Sequence, residues 1–419
     1  MNLEKASQYR KEENYTKAIG IYKALWDTNA ASFNEWDIWG YAYSLFKTKD
    51  YQDTLNIARE GYKIFPNFEM LHSLYARSIY YTQFKANPPP NLSTLKKALD
   101  AILKLHPPHQ PYSVAPTAIF EFAKIAMKQN VIHWKEIEEY LLKLEPELLD
   151  DKAFEFKNKG RDVSIASDYE KWYACMIRVK GGLNQPKELL DLLDQARSKN
   201  IKWHYNNDIW FERKEAFAYN QLGEVEKAIK IMKSILARKK DWFLIYDLAK
   251  LFPEDSEEKG ELLCEAALAK GPYAMKLKLY DDLYTFFKTI DKDIAQDHLK
   301  LIATLRIEND WDIPQRVSLL LDGKDWKEKS SSFYLKKLRN IWKKYLPEKE
   351  KLEGRIITIF PNGNAGFIKA DNESYFFSIN DIKDKESIEK NQKVVFEWVE
   401  SFDKKKNKMS KKAINIQLK

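Results

Sequence analysis

Tyr15-Thr-Lys-Ala18-Ile-Gly-Ile-Tyr22-Lys-Ala-Leu25 sets a small residue three positions after an aromatic one, a second aromatic four positions later and an apolar residue three beyond that. Residues three and four apart share one face of an α-helix, so the stretch reads as a helix with one tightly packed stripe. The same spacing returns at Tyr51, Thr54, Ala58 and Gly61, with Pro66 beyond, and again at Val225, Ala228, Met232 and Ile235. Ahead of the last set, Ala216, Tyr219 and Gly223 supply the small, aromatic and turn positions of a preceding helix. Small residues at Ala18, Ala42, Ala216 and Ala228 let helices approach closely, while Tyr22, Phe217 and Tyr219 fill the space between stacked pairs. Each such hairpin exposes an apolar face that only a neighbour can cover, so the pattern calls for an array.

These positions resemble the tetratricopeptide repeat, a helix-turn-helix unit of about 34 residues. The resemblance implies an α-solenoid over residues 1–322, built from roughly seven to nine helical pairs. The spacing is uneven: Gly61 follows Leu25 by 36 positions and Pro107 follows Pro66 by 41. Two segments read as surface loops, residues 86–116, which hold seven of the fifteen prolines, and the polar stretch 157–167 around Gly160. In such arrays the first helix of each pair lines a groove for a protein partner. That implies Trp39 and Tyr43, with Lys47, in an early repeat and Trp210, Arg213, Phe217 and Asn220 in a later one; aromatic and arginine anchors suit a protein interface.

From Phe333 to Leu346, Leu335, Leu338, Ile341, Trp342 and Tyr345 fall on one helical stripe, with Lys336, Lys337, Arg339, Lys343 and Lys344 on the other side. We read residues 323–351 as a basic capping helix and linker ended by Pro347. Beyond Leu352 the period changes to that of strands: Arg355–Phe360, Ala365–Lys369, Tyr375–Ile379, Lys393–Val399 and Ala413–Leu418. Five short strands with Asn, Asp and Gly turns predict a small closed barrel over 352–419. The expected fold class is mainly α with a small all-β C-terminal domain.

The barrel residues carry a second resemblance. Gly354 through Ile368 is similar to the opening of a bacterial cold-shock domain, with Gly366-Phe367-Ile368 at the end of its first ribonucleoprotein motif and Phe376 leading the second. Asn380-Asp-Ile382, Asn391 through Glu397 and Ala413-Ile-Asn-Ile416 follow in the family's order. The resemblance implies a five-stranded OB-type barrel that binds single-stranded RNA or DNA, with RNA the expected ligand, by stacking bases on exposed rings at about 1–3 kcal/mol each. Phe367 and Phe376 keep the family's rings, Ile379 keeps only bulk, and Thr358, Ala365 and Ser378 have lost them. Phe360, two residues beyond Thr358, is expected on the same face as a relocated platform, and alternation sends Tyr375 and Phe377 to the core. Lys404, Lys405, Lys406, Lys408, Lys411 and Lys412 make a basic loop between the last two strands, with Lys369 and Arg355 extending the track to phosphates.

Charge supports this division. Lys and Arg total 70 against 62 Asp and Glu, for a net of +8, and Lys324–Lys419 alone holds 23 basic and 14 acidic residues, so the positive excess lies in the C-terminal quarter. Two cysteines 89 positions apart build neither a disulfide framework nor a multi-cysteine zinc site, which suits a reducing cytoplasm. The N-terminal residues mix acid and base without a signal-like apolar core, and no run reaches the roughly 18 apolar residues of a membrane span. No phosphate-binding loop, nucleophile elbow or zinc-protease motif is present. The six histidines are scattered, and Asp150-Asp151, Asp281-Asp282 and Asp293 with Asp297 stand without partners in a recognisable constellation. The expectation is a non-enzymatic adaptor with no cofactor or metal, binding single-stranded nucleic acid through the barrel and a protein through the solenoid; the layout also resembles bacterial repeat-plus-OB proteins of defence systems. The alternative is a protein-interaction scaffold whose barrel no longer binds nucleic acid.

Overall fold

Asparagine, aspartate and serine open many of the helices. Asn14, Asn34, Asp50, Asn91 and Ser167 each accept a first-turn backbone N–H through the side chain, satisfying donors that have no partner within the helix. Short connections pass through left-handed residues at Glu13, Lys49 and Gly223, which reverse the chain between successive helices. A computed structural model describes residues 2–322, 326–347, 351–382, 388–403 and 408–419. Among these residues the chain forms eighteen α-helices and seven strands, a solenoid of tetratricopeptide-like helical hairpins followed by a five-stranded barrel.

The chain divides into two compact units, Met1–Phe211 and Glu212–Lys419, with the division inside the Asn207–Gln221 helix. In the first unit Ala18, Ala42 and Ala58 are fully buried. At Gly61 an added Cβ would lie 2.6 Å from Ile38 Cγ2 and 2.7 Å from Leu71 Cδ2, so the small stripe is what permits the close helix contact. Ala216 and Ala228 play the same part in the second unit, both with no exposed surface. There the Ser331–Tyr345 helix buries the expected stripe against the Glu257–Leu268 and Lys292–Ile307 helices. Trp342 stacks parallel to Tyr280 at 5.8 Å and donates its indole N–H to His298 Nε2 at 3.0 Å. The other ring nitrogen of His298 meets the Ile294 carbonyl at 2.8 Å, so it carries the proton, and full burial drives the pKa of this imidazole down to about 4.

Two expected loops contain regular structure. Within 86–116, Leu92–Leu105 is a helix: prolines bracket it without entering it, and Leu95, Leu99 and Ile102 form a fully buried stripe. Proline forbids a helix interior but not its flanks, so counting prolines over the whole segment concealed the apolar period between them. Within 157–167 the chain forms a β-hairpin, β1 (Phe154–Asn158) and β2 (Arg161–Ile165). Lys159 and Gly160 both adopt positive φ, the two-residue turn whose twist matches that of the paired strands.

The barrel comprises β3 (Leu352–Ile359), β4 (Ala365–Ala370), β5 (Glu373–Ser378), β6 (Lys393–Asp403) and β7 (Lys408–Leu418). It closes in the order β3-β4-β5-β7-β6, with β5 and β7 parallel. Ile356, Ile368, Phe377, Val394, Phe396 and Ile416 fill the interior, and Tyr375 joins them as expected. Gly366 is required where β4 passes β3, because a Cβ there would lie 2.0 Å from the Thr358 carbonyl oxygen. The last hairpin is longer than the apolar pattern suggested. β7 starts at Lys408, so Lys411 and Lys412 belong to a strand and not to a loop, since ladder pairing with β6 does not require apolar side chains.

Candidate nucleic-acid interface

Alternation on β3, β4 and β5 decides which side chains leave the barrel. Ile368 and Phe377 point inward and are fully buried, so their neighbours Phe367 and Phe376 point out, and these two are direct cross-strand partners. A register shift between Ile356 and Thr358 keeps Thr358 opposite Phe367 and brings Phe360 onto the same outer face. The rings of Phe360, Phe367 and Phe376 form a triangle with centroids 5.8, 5.9 and 6.4 Å apart, each half-buried and meeting its neighbours edge-on or tilted. Such a cluster keeps π-surface turned to solvent.

A second row runs beside the rings. Arg355 pairs across to Lys369 on one side and to Lys393 on the other, and all three are exposed. Lys369 lies two residues beyond Phe367 on the same face of β4, which is one repeat of the strand, roughly 7 Å. Lys369 thus stands one strand repeat from the aromatic row. Lys393 was not singled out in the sequence; its one signal is its place as the first residue of a strand, and register alone reveals its partnership with Arg355.

The basic segment divides. Lys412 pairs with Phe376 across β5 and β7 and sits at the edge of the aromatic triangle, where its ammonium bonds Asp381 at 2.9 Å. Lys411 points to the other side, lies 4.9 Å from the Trp398 ring centroid and pairs with Glu373. The bond from Lys411, joined by the Tyr375 hydroxyl, holds the Glu373 carboxyl below the usual range. Lys404, Lys405 and Lys406 lie outside the described residues, as does the side chain of Lys408.

In the first unit, Trp39 and Tyr43 stack at 4.8 Å on the Glu35–Lys47 helix. Arg10 covers Trp39 at 5.0 Å and Lys47 covers Tyr43 at 5.7 Å. Both rings line a groove of about 510 Å³ whose far lip is Tyr112, held by a 3.1 Å bond from Arg77 to its carbonyl. The later set is not gathered in this way. Trp210 belongs to the first compact unit, whereas Arg213, Phe217 and Asn220 belong to the second. Arg213 bonds the buried Asp247 at 2.6 Å with its guanidinium 4.8 Å from the Phe217 ring, so this pair packs toward the Trp242–Ala249 helix, and of these four residues only Asn220 is exposed.

Three of the paired acids have structural partners. Asp281 meets Arg316, Asp282 accepts from Tyr246 at 2.7 Å, and Asp297 meets Lys337 at 2.5 Å. Among the described residues no group of three or more His, Cys, Asp and Glu side chains is arranged to hold a metal ion, and no helix is long and apolar enough to cross a membrane. Cys175 and Cys264 are free thiols.

Residues 209–346 match a protein family described as a domain of unknown function, DUF7017. No curated protein matches the chain. Among solved structures the chain is similar to a tetratricopeptide repeat protein from Parabacteroides merdae, at 13% identity over 68% of this chain and 97% of that one, with a TM-score of 0.29. It is also similar to human IFIT1, solved as a dimer with PPP-AAAA, at 14% identity over 81% of this chain and 79% of that one, TM-score 0.37. Yeast Tom70 is a further match at 14% identity, over 82% of this chain and 76% of that one, TM-score 0.24.

Proposed function

We propose that the protein is an adaptor whose barrel binds single-stranded RNA or DNA, with RNA the proposed ligand, and with little sequence selectivity, while the helical repeats hold a protein partner. The observation that supports this most directly is the paired arrangement on the outer face of β3, β4, β5 and the start of β6. Phe360, Phe367 and Phe376 form one aromatic row, and Arg355, Lys369 and Lys393 form a cationic row beside it. Stacking accepts any base because every base has a π-face, and phosphate neutralisation is likewise indifferent to sequence. Lys412 extends the cationic edge. The groove lined by Trp39, Tyr43 and Tyr112 is the proposed seat of the protein partner. This role requires no cofactor, metal or catalysis, and a cytoplasmic setting in bacterial defence or regulation belongs to the same proposal, on layout alone.

A second reading, a scaffold without nucleic acid, draws on the ion pairs of Lys411 with Glu373 and Lys412 with Asp381, which already use part of the positive charge. Fluorescence anisotropy separates the two. Labelled single-stranded RNA and DNA are titrated with the full chain at several salt concentrations, with duplex of the same sequence as competitor. Binding to single strands that weakens steeply with salt and resists duplex competition supports the adaptor. Absence of binding at low salt leaves the scaffold.

A further inference from the structure

A cavity of about 1090 Å³ in the first unit lies where the β1–β2 hairpin faces residues 199–204, and Ser164, Glu170 and His204 all line it. Local structure prepares each of them. Ser167 caps the Asp168–Gly182 helix by accepting the Glu170 N–H at 3.0 Å, which places the Glu170 carboxylate in the first turn, where the helix dipole favours its charge. That side chain is only 4% exposed, and His204 occupies both of its oxygens. The backbone N–H of His204 donates to Oε1 at 2.7 Å and Nδ1 meets Oε2 at 2.5 Å. With Nδ1 donating, the imidazole turns its other nitrogen outward, and Nε2 lies 2.9 Å from the exposed hydroxyl of Ser164 on β2. Hydroxyl, imidazole and buried carboxylate in this order are the nucleophile, base and orienting group of acyl transfer, recognised by geometry whatever the chain order.

We propose that Ser164, His204 and Glu170 form an acyl-transfer triad that hydrolyses uncharged or cationic carboxylic esters, an activity beyond the adaptor role and independent of it. Ser164 Oγ attacks the ester carbonyl carbon as its proton passes to His204 Nε2. The alkoxide departs with that proton, leaving an acyl ester on Ser164. Water then attacks this ester, gives a proton to Nε2, and the carboxylic acid leaves as Ser164 recovers its hydrogen. Glu170 holds the ring in place and stabilises the imidazolium between steps. Asn200 and Lys202 line the same cavity and supply donors for the carbonyl oxygen as it becomes negative. The Asp151 and Glu155 carboxylates in the wall disfavour an anionic substrate. No sequence motif announced these residues: Ser164 and His204 are forty positions apart, and the segment holding Ser164 read as a plain loop.

The full chain is treated with a fluorophosphonate probe, and adducts are located by peptide mass spectrometry. Hydrolysis of p-nitrophenyl acetate is followed in parallel for the protein and for Ser164→Ala, His204→Gln and Glu170→Gln. Ser164 is exposed, so Ser164→Ala is expected to melt at the original temperature. The proposal expects an adduct on Ser164, a burst of one p-nitrophenol per chain, and loss on the order of 1000-fold in Ser164→Ala and His204→Gln. Should Glu170→Gln fail to fold, Ser164→Ala and the adduct decide alone. A folded protein that acquires no adduct at Ser164, or hydrolyses the ester at the rate of Ser164→Ala, overturns the proposal. So does adduct formation at an unchanged rate in a folded His204→Gln protein. In either case the hydrogen bond is a strap holding the hairpin to the 199–204 segment.

Discussion

The barrel face and the helical repeats use the same side chains, aromatic rings with lysine and arginine, to different ends. On the helices the cations beside the expected groove rings lie over a ring or against a buried acid: Arg10 on Trp39, Lys47 on Tyr43, Arg213 on Phe217 and Asp247. On the outer barrel face Phe360, Phe367 and Phe376 meet one another, and Arg355, Lys369 and Lys393 stand in a row of their own. A ring that already carries a cation contributes to stability; rings and cations kept apart leave a π-face and a charge to offer a ligand. Residue type is therefore a poor guide to function here, and pairing is a good one.

The sharpest way to break the comparison is to remove the barrel rings together. Phe360→Ala, Phe367→Ala and Phe376→Ala in one chain should weaken single-stranded RNA binding by about 100-fold or more, at roughly 1 kcal/mol or more for each stack removed. Anisotropy reads the change and circular dichroism checks the fold; unchanged affinity in a folded protein would mean that the rings serve another purpose. On the helical side the expected damage is to stability. Arg213→Ala leaves Asp247 buried with Lys250 alone at 3.3 Å, and should cost about 3 kcal/mol in urea denaturation. The exposed Asn220→Ala is the control and should stay within about 0.5 kcal/mol.

Acid sharpens the same contrast. His298 is buried neutral with its pKa at about 4, below its unfolded value, so folding disfavours its proton. Stability from this group is complete above about pH 6.5 and falls as pH drops toward 4, by about 2–3 kcal/mol at about pH 4.5. Replacing His298 by Gln should flatten that part of the profile, whereas the barrel holds no histidine and lacks such a step. The smallest effect concerns salt. Changing Arg355, Lys369 and Lys393 to Gln should reduce the log–log salt slope of RNA binding by about 2, since each phosphate that a cation neutralises on a single strand adds about 0.7, and should leave the melting temperature in place. An unaltered slope would assign phosphate binding to other lysines.

Much of the architecture was legible because it is periodic. Ala18, Ala58, Ala216 and Ala228 are each buried on their own helices, and the inward and outward alternation of Tyr375, Phe376 and Phe377 holds in the barrel. The Leu92–Leu105 helix and the β1–β2 hairpin went unread because punctuation by proline, glycine and charge is louder than a short period between. At the candidate interface the three rings were legible from alternation and a family likeness, but Lys393 was not, since its neighbour Arg355 lies thirty-eight positions away in sequence. Lys411 and Lys412 looked equivalent, and one residue of strand period sends them to opposite sides.

By itself the sequence determined the repeat, the change from helical to strand period after Leu352, and the basic character of the C-terminal quarter, because each is a local or summed property of neighbouring residues. The tertiary structure alone decided which cations are neutralised, which rings stay open, and that Ser164, Glu170 and His204 share one cavity. Those outcomes depend on distances between residues remote in the chain, and such distances exist only once strand register and helix packing have brought them together.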